Sequence, residues 1–595
     1  MDAAKFVVNN FPISFILSSI ENDQIAIPEI QRPFVWDSSK VRDLLDSIYR
    51  GYPIGYIILW QNPDIMTKEG SLAHGKKIVI DGQQRIIALS AAILGNEIID
   101  KNFRRIKITI AFHPLQEKFE VSNSIIAKDH TWIQDISTVL EDDISLFKAI
   151  KEYSKNNEIS EDIIFNKLSR LSQVKNLQIG VIDLAFDLDI ETVTEIFIRI
   201  NSQGVFLNQA DFAMSKIAAD SKYDGQNLRK CIDYFCHMAV HPEFYQNIKD
   251  VDKTFTSTEH FPKISWLKDE IDDLYDPSYL DMLRVAFTYE FNRGILSDLV
   301  SLLSGRNFET KSYEERIMEE SFLKLKKGIH TFVNENNFKN FVMIIKSAGY
   351  NSPSLITSQN ALNFAYVLYL KLRAFGYKEP QTHSLVRRWL VLSSLTGRYS
   401  SSTESNFDSD IKQISSNDFR DFLKLTEEAV LSDNFWDIAL VQNLNTSGTG
   451  NPYFNAFLAA QIKSHDEGFV SPCFPVNDLV NIKGDIHHIF PRDFLKKNNF
   501  IKTQYNQVAN YAIVHPIINI MLSNKAPKQY FQEIKEKIAN GENDTFSSEE
   551  ALLKNLEMNC VPEEIFDMDI KDYEEFLENR RKLMARKIKD FYFSL

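Results

Sequence analysis

Strand-like and helix-like segments alternate over the first 220 or so residues, and this alternation constrains the fold most. Short apolar runs of strand length are separated by helical patterns. The segment SSKVRDLLDSIYRGYP at 38–53 predicts a helix with a start and a stop signal. Serines precede its apolar positions, and Gly51 follows them. This part of the chain therefore predicts a mixed α/β domain. The predicted strands cover residues 56–60, 76–80, 105–112 and 177–184.

The pattern becomes helical after residue 225 and stays so to about residue 440. A polar stretch at 398–410 predicts a flexible loop or an inserted connection, and a Gly-, Asn-, Ser- and Thr-rich stretch at 443–454 predicts a linker. A chain of 595 residues is also too long for one hydrophobic core. We therefore predict three domains, covering residues 1–225, 226–442 and 443–595.

Composition excludes several classes of protein. No apolar run is long enough to span a bilayer, and the N-terminal segment has no basic leader, so we expect a cytoplasmic protein without membrane contact. The four cysteines form no CxxC pair, which argues against a disulfide framework or a zinc ribbon. The net charge of −14 is not typical of a general nucleic-acid binder, so any DNA contact needs local basic patches or a metal ion.

Two adjacent histidines, His487 and His488, stand out in the segment GDIHHIFPRDFL at 484–495. A phosphodiesterase can use one histidine as the general base that activates water. A divalent ion held by histidine, Asp or Asn side chains would stabilise the charge that develops on phosphate. The candidates in this part of the chain are Asp485, His487, His488, Asn510 and Asn519; the alternative is an ordinary buried histidine pair.

Two N-terminal segments also carry a concentration of polar and special residues. IVIDGQQRIIAL at 78–89 has the pattern of a strand, a glycine turn and a helix, so backbone N–H groups near Gly82 could face an anion. IPEIQRPFVWD at 27–37 includes Gln31 and Arg32. No GxxxxGK[ST] motif occurs, which excludes a P-loop NTPase. A stabilised turn and a core tryptophan are the structural alternatives.

The C-terminal residues, DIHHIFPRDFL followed by Asn510-Tyr, Asn519 and SNKAP, resemble the HNH nuclease domain of the GmrSD family of modification-dependent (type IV) restriction enzymes. The resemblance implies a ββα-metal fold in a mostly helical surround and one Mg²⁺ or Mn²⁺ ion. It implies that His488 is the base and His487 a metal ligand, with Asp485 orienting it. It further implies that Asn510 organises the loop and that Asn519, or its rivals Asn524 and His515, is the second ligand.

The N-terminal segments IPEIQRPFVWD, GYPIGYIILW, IDGQQRIIALSA and EIFIRINSQGVFLNQADF resemble, in the same order, the ParB-like domain of that family. The resemblance implies an α/β domain that binds and hydrolyses GTP or another NTP. The residues it assigns to the nucleotide are Gln31, Arg32, Asp81, Gly82, Gln83, Gln84, Arg85, Arg199 and Asn201. Related phosphorothioate-sensing (SspE-like) members imply that Arg32, Pro33, Phe34 and Trp36 sense the DNA modification.

Together these resemblances predict an α+β multidomain, antiphage DNA endonuclease that acts on modified double-stranded DNA under the control of a nucleotide, with a homo-oligomer as the candidate assembly. Three alternatives remain open from sequence. They are an NTP-dependent DNA-binding regulator with a non-catalytic HNH domain, a phosphorothioate-sensing nickase, and a toxin-like RNase.

Overall fold

The structure is a computed structural model that divides the chain into two compact units, Met1–Arg229 and Lys230–Leu595. It describes residues 5–22, 24–26, 34, 36–60, 77–99, 105–185, 188, 192–193, 196, 209–220, 222–482, 485–541 and 545–595.

A mixed five-stranded sheet forms the centre of the N-terminal unit, with strands in the order β1-β9-β3-β4-β2. The pairs β3–β9 and β2–β4 are parallel, whereas β1–β9 and β3–β4 are antiparallel. Two short antiparallel pairs, β5–β6 and β7–β8, lie outside this sheet. The strands are β1 Phe6–Pro12, β2 Ile25–Ala26, β3 Ile57–Trp60, β4 Lys77–Asp81, β5 Ile98–Ile99, β6 Arg105–Ile106, β7 Ile110–His113, β8 Lys118–Val121 and β9 Gln178–Leu184.

Helices of this unit bury their apolar sides in one hydrophobic core with the sheet. In the second helix, for example, Val41, Leu45 and Ile48 are buried at the i, i+4, i+7 spacing of one helix face. The helices are α1 Ile13–Glu21, α2 Ser38–Tyr49, α3 Gln83–Ile93, α4 Ile136–Leu140, α5 Asp143–Asn157, α6 Glu161–Ser172 and α7 Gln209–Ala219.

The predicted strands of the N-terminal unit are present, with two differences of detail. The run at 105–112 forms two short strands, β6 and β7, rather than one. The cap of α2 is Asp37 rather than a serine, since its carboxylate accepts a hydrogen bond from the N–H of Lys40. An α+β fold class is therefore confirmed.

The C-terminal unit is mostly helical. Its helices are α8 Gly225–Val240, within which the division between the units falls, then α9 Phe244–Val251, α10 Lys253–Thr256, α11 Phe261–Ile264, α12 Tyr279–Phe291, α13 Leu296–Leu303, α14 Glu315–Phe332, α15 Glu335–Ser347, α16 Gln359–Ala374, α17 Glu379–Thr396, α18 Thr403–Ser416, α19 Phe419–Val430, α20 Leu440–Asn443, α21 Pro452–Lys463, α22 Val476–Asn481, α23 Arg492–Lys497, α24 Lys502–Tyr505, α25 Pro516–Leu522, α26 Pro527–Ala539, α27 Glu549–Met558 and α28 Tyr573–Ser594. Among the described residues, no helix is both long and apolar enough to cross a membrane.

The flexible loop predicted at 398–410 is wrong, because most of it belongs to α18. Phe407 is fully buried, and the buried carboxylate of Asp410 forms an ion pair with Arg398. Because the segment is polar overall, its composition gave no indication that Phe407 and Asp410 are buried on one face of a helix.

Two short antiparallel strand pairs lie near the end of the chain. Their strands are β10 Glu467–Gly468, β11 Ser471–Pro475, β12 Asp485–His488 and β13 Tyr511–Val514. β12 pairs with β13 from Asp485↔Val514 to His488↔Tyr511, and α25 follows β13 directly. This order of two strands and a helix positions the candidate site.

Candidate functional site

His487 and His488 occupy the end of β12 and face different surroundings. Successive side chains of a strand point to opposite sides. His487 is 4% exposed and lies toward α25, whereas His488 is half-buried and lies toward the segment that connects α24 to β13. The two imidazoles therefore contact different partners.

His487 contacts Asn519, which α25 presents to the strand. The Nδ1 atom of His487 lies 2.8 Å from the Oδ1 atom of Asn519. Burial lowers the pKa of His487 to about 4, against a smaller opposite effect of the bond to Asn519, so the ring is neutral at pH 7. A neutral imidazole and an amide oxygen can both bind a divalent cation without losing a proton.

This contact is a hydrogen bond in which Nδ1 carries the proton, because the amide oxygen can only accept one. Once that proton moves to Nε2, the separation of Nδ1 and Oδ1 fits a shared metal ion. Neighbouring ligands of an octahedral ion at roughly 2.1 Å are about 3.0 Å apart, close to the 2.8 Å between Nδ1 and Oδ1. The Nε2 atom of His487 is buried without a hydrogen-bond partner among the described residues. The ring also stacks on Phe469, with centroids 5.8 Å apart. Packing thus fixes the direction in which His487 faces.

The rival ligands of Asn519 are placed differently. His515 caps α25, because its Nδ1 atom accepts a hydrogen bond from the N–H of Ile517, and its ring stacks on Phe474 at 4.1 Å. Asn524 is exposed beyond the end of α25. The structure therefore brings Asn519, rather than these two, against His487. The Asp485 side chain lies outside the described part, so its contact with His487 stays a prediction.

His488 is held by Asn506, a residue that the sequence analysis missed. The Nε2 atom of His488 lies 3.0 Å from the Oδ1 atom of Asn506, and the edge of Tyr511 lies 5.0 Å from the ring. Burial lowers the pKa of His488, the bond to Asn506 opposes this, and the charge of Arg492 adds to the lowering. Several asparagines lie between α23 and β13, and nothing in the sequence separates Asn506 from the others.

Asn510 is fully buried and ties the turn after β12 to the segment before β13. Its Oδ1 atom accepts a hydrogen bond from the N–H of Phe490 at 2.8 Å. Its Nδ2 atom donates to the carbonyl oxygens of Phe490 and Tyr505, at 3.0 and 3.2 Å. These contacts organise the backbone next to His488; whether Asn510 affects cleavage stays a prediction.

Arg580, on the terminal helix α28, is a second residue that the sequence analysis missed. It is 0% exposed, and its guanidinium donates to the carbonyl oxygens of Ala509 and Tyr511, which flank Asn510. It also donates to the carbonyl oxygen of Asn559. Burial lowers the pKa of Arg580 to about 10, so the cation persists at neutral pH. Arg580 therefore faces inward although the helix that carries it is rich in basic residues.

The segment that contains the hairpin is basic although the whole chain is acidic. Residues 485–530 carry six Lys or Arg side chains against two Asp, whereas the chain as a whole has a net charge of −14. Lys497, Lys502 and Lys528 are exposed and have no ion-pair partner within the part that the structure describes. The other members of this basic cluster are Arg492, Lys496 and Lys525. The cluster supplies the local positive charge that contact with phosphates requires.

In the N-terminal unit, the strand–glycine–helix pattern is present between β4 and α3. Gly82 precedes α3 with φ 97°, and a Cβ atom there would lie 3.2 Å from the Cα atom of Ile57. Arg85 pairs with Asp81 at 2.7 Å and donates to the carbonyl oxygen of Ile54. Gln83 donates to the carbonyl oxygen of Val79. Gly82, the N-cap residue of α3, has no side chain that could cap the first turn, and Arg85 is already engaged within the protein.

The other predicted residues of this unit are described only in part. Phe34 is 3% exposed and Trp36 is half-buried; both pack in the core, so the ring of Phe34 is not offered to a ligand. Gln84 lies in the first turn of α3. Gln31, Arg32, Pro33, Arg199 and Asn201 lie outside the described residues.

Comparison with known proteins gives two matches. Residues 13–218 match the model of the N-terminal domain of the GmrSD restriction endonuclease. The chain is also 21% identical to an uncharacterized protein from Methanocaldococcus jannaschii, over 95% of this chain and 96% of that protein. The match over residues 13–218 supports a restriction enzyme of the GmrSD type.

Proposed function

We propose that this chain is a modification-dependent, antiphage DNA endonuclease with a metal-dependent nuclease site at its C-terminal hairpin and a nucleotide-binding N-terminal domain. The observation that carries the proposal is the 2.8 Å contact of His487 with Asn519. The next residue after His487 is a second histidine, His488, whose ring lies in a different environment. Two neutral ligand groups, His487 and Asn519, therefore lie near a neutral base, His488, at the end of β12.

His487 and Asn519 would hold Mg²⁺ or Mn²⁺, with water and phosphate oxygens as the remaining ligands. When bound, the ion supplies stabilisation of the charge on the phosphate and on the leaving oxygen. His488 takes a proton from a water molecule, whose oxygen forms a bond to phosphorus as the P–O bond to the leaving oxygen breaks. Arg492, exposed at the start of α23, lies close enough to His488 to lower its pKa and is the cation best placed to contact the phosphate.

The N-terminal domain would bind GTP or another NTP and read the modified DNA. The match of residues 13–218 to the GmrSD domain and the strand–glycine–helix junction at Gly82 support this part of the proposal. Double-stranded, modified phage DNA is the proposed substrate, and the basic cluster around the hairpin supports contact with its backbone. We propose further that the chain assembles as a homo-oligomer.

A cleavage assay on matched plasmids tests the proposal. The purified full-length chain is incubated with Mg²⁺ or Mn²⁺ and plasmids that are unmodified, glucosylated at hydroxymethylcytosine, or phosphorothioated, each with and without GTP. We expect one modified plasmid to be nicked or cut. His488→Ala should lower the rate by about 100- to 10,000-fold, the usual contribution of a general base, and leave GTP hydrolysis unchanged.

His465→Asn is the matched control, because His465 is an exposed histidine of the same unit with φ 57°, a conformation that asparagine tolerates. Its cleavage rate should equal that of the wild type. Absence of cleavage on every plasmid, with GTP hydrolysis intact, would make the chain a DNA-binding regulator. Cleavage of RNA alone would make it an RNase.

A further inference from the structure

We infer that Asn506 is a positioning residue that holds the His488 ring with its proton on Nε2, so that Nδ1 is the nitrogen that accepts the proton of the attacking water. The inference rests on the proposed nuclease function and assigns which atom of His488 reacts. The observation that carries it is the 3.0 Å contact between the Nε2 atom of His488 and the Oδ1 atom of Asn506.

The chemistry of the amide oxygen determines the tautomer. The Oδ1 atom of an asparagine can only accept a hydrogen bond, so the Nε2 atom that faces it must carry a proton. In a neutral imidazole the other nitrogen then has the free lone pair. Without Asn506 the two neutral tautomers would compete, and only one of them places the lone pair on Nδ1.

Asn506 is itself held in place by the short segment that Asn510 organises. Its N–H donates to the carbonyl oxygen of Lys502 at 3.1 Å, at the end of α24. The carbonyl oxygen of the preceding Tyr505 accepts from Asn510 and from Tyr573 of α28. The acceptor for His488 therefore lies on backbone that is tied to the turn after β12.

Other groups around His488 do not compete for its Nε2 proton. The ring of Tyr511, on β13, meets it edge-on at 5.0 Å, and the ring of Tyr505, on α24, lies 6.5 Å away. Arg492, on α23, contributes a positive charge and no acceptor. Among the described groups, Asn506 is thus the side chain that selects the tautomer.

Three substitutions separate the acceptor from the packing that Asn506 provides. Asn506→Leu keeps a similar side-chain volume and removes the acceptor oxygen. Asn506→Ala removes the acceptor and most of the volume, and Asn506→Asp keeps an acceptor oxygen. We expect kcat on the cleaved plasmid to fall about 10- to 100-fold for Leu and Ala, the usual effect of losing such a partner, with KM for DNA unchanged. Asn506→Asp should retain most of the wild-type kcat.

Asn498→Ala is the matched control, because Asn498 is an exposed asparagine of the same segment whose side chain donates locally, to the carbonyl oxygen of Phe494. It should cleave as the wild type does. A general loss of stability would lower the activity of the Asp variant as much as that of the Leu variant. Rescue by Asp therefore distinguishes positioning from a purely structural role.

The tautomer is measured directly in the full chain with ¹⁵N-labelled histidine, and the signal of His488 is assigned from the spectrum of His488→Gln. We expect a protonated Nε2 and a non-protonated Nδ1 in the wild type, and a mixture of tautomers in Asn506→Leu. A wild-type ring protonated on Nδ1, or equal kcat values for wild type and Asn506→Leu, would overturn the inference. Correct tautomers in a protein that cuts no plasmid would instead overturn the proposed function.

Discussion

His487 and His488 are neighbours in sequence with different chemical environments. His487 is nearly fully buried against Phe469 and contacts an amide oxygen across 32 residues of chain. His488 retains exposure and contacts an amide 18 residues away. Burial keeps both rings neutral, which leaves a lone pair on each for a metal ion or a proton. Because side chains alternate along the strand, the two roles proposed for His487 and His488 fall to neighbouring residues in different environments.

The assignment of the second metal ligand is testable at this scale. Asn519→Ala should weaken Mn²⁺ binding about 10- to 100-fold, because the amide oxygen beside His487 is lost. Asn524→Ala, two residues beyond α25 and exposed, should bind Mn²⁺ as the wild type does. Calorimetric titration of the purified chain measures both. Equal affinities for Asn519→Ala and wild type would remove Asn519 from the site.

At the scale of elements, α28 supports the hairpin although it lies far away in sequence. Arg580 donates to the carbonyl oxygens of residues 509 and 511, 71 and 69 residues earlier. Asn555 of α27 donates to the carbonyl oxygen of Gly468 and accepts from the N–H of Val470, in the turn that carries Phe469. Two C-terminal helices therefore hold the backbone on both sides of the candidate site.

Removal of Arg580 should destabilise the C-terminal unit. Arg580→Leu leaves buried carbonyl oxygens without donors, and each costs about 1–3 kcal/mol; we expect the free energy of unfolding to fall by about 3 kcal/mol or more. Arg586→Leu, an exposed arginine of the same helix, should change it by less than about 0.5 kcal/mol. Denaturant unfolding followed by tryptophan fluorescence measures the difference. Equal stability of the two variants would contradict the support that we assign to Arg580.

The junction of β4 and α3 gives a prediction for the N-terminal unit. Asp81→Asn removes the charge that pairs with Arg85 but keeps an acceptor oxygen. We expect GTP turnover to fall at least tenfold. Loss of a partly buried ion pair of this kind should lower the free energy of unfolding by about 1 kcal/mol. Asp46→Asn is the control, because Asp46 forms an exposed pair with Arg50 at the same i,i+4 spacing. Unchanged turnover in Asp81→Asn would exclude this junction as the nucleotide site.

At the scale of the whole molecule, two ligands should stabilise two different units. A ligand that binds only the folded state stabilises it by about 2.7 kcal/mol at 100 times its Kd. In hydrogen exchange of the full chain, GTP should slow exchange in α3, and Mn²⁺ should slow it in β12, β13 and α25. Protection of the hairpin by GTP in the absence of metal would place the nucleotide in the C-terminal unit and contradict the division of roles.

Charge is also divided unevenly over the molecule. The chain carries a net charge of −14, which by itself argues against nucleic acid as a partner, yet the segment around the hairpin is basic. DNA binding by such a chain depends on local phosphate contacts, whose strength falls with added salt. Average composition therefore misrepresents the part of the surface that matters for the proposed substrate.

The local features of this protein could be predicted from its sequence. The runs at 57–60 and 178–184, the helix that follows Asp37 and the glycine turn at Gly82 follow from side-chain periodicity and from backbone preferences within a few residues. The paired histidines and the downstream asparagines indicated which residue types to consider. The polar segment at 398–410 was misread because its composition outweighed the spacing of its few buried side chains.

Which of these residues contact one another depends on how the chain packs in three dimensions. Asn519 rather than Asn524 or His515 faces His487, Asn506 holds His488, and Arg580 is buried behind Asn510. Each of these contacts spans 18 to 71 residues. Local propensity contains no information about such pairs, because their distance depends on how strands and helices pack together. The positions of the proposed ligands, the proposed base and its support are therefore properties of the folded chain.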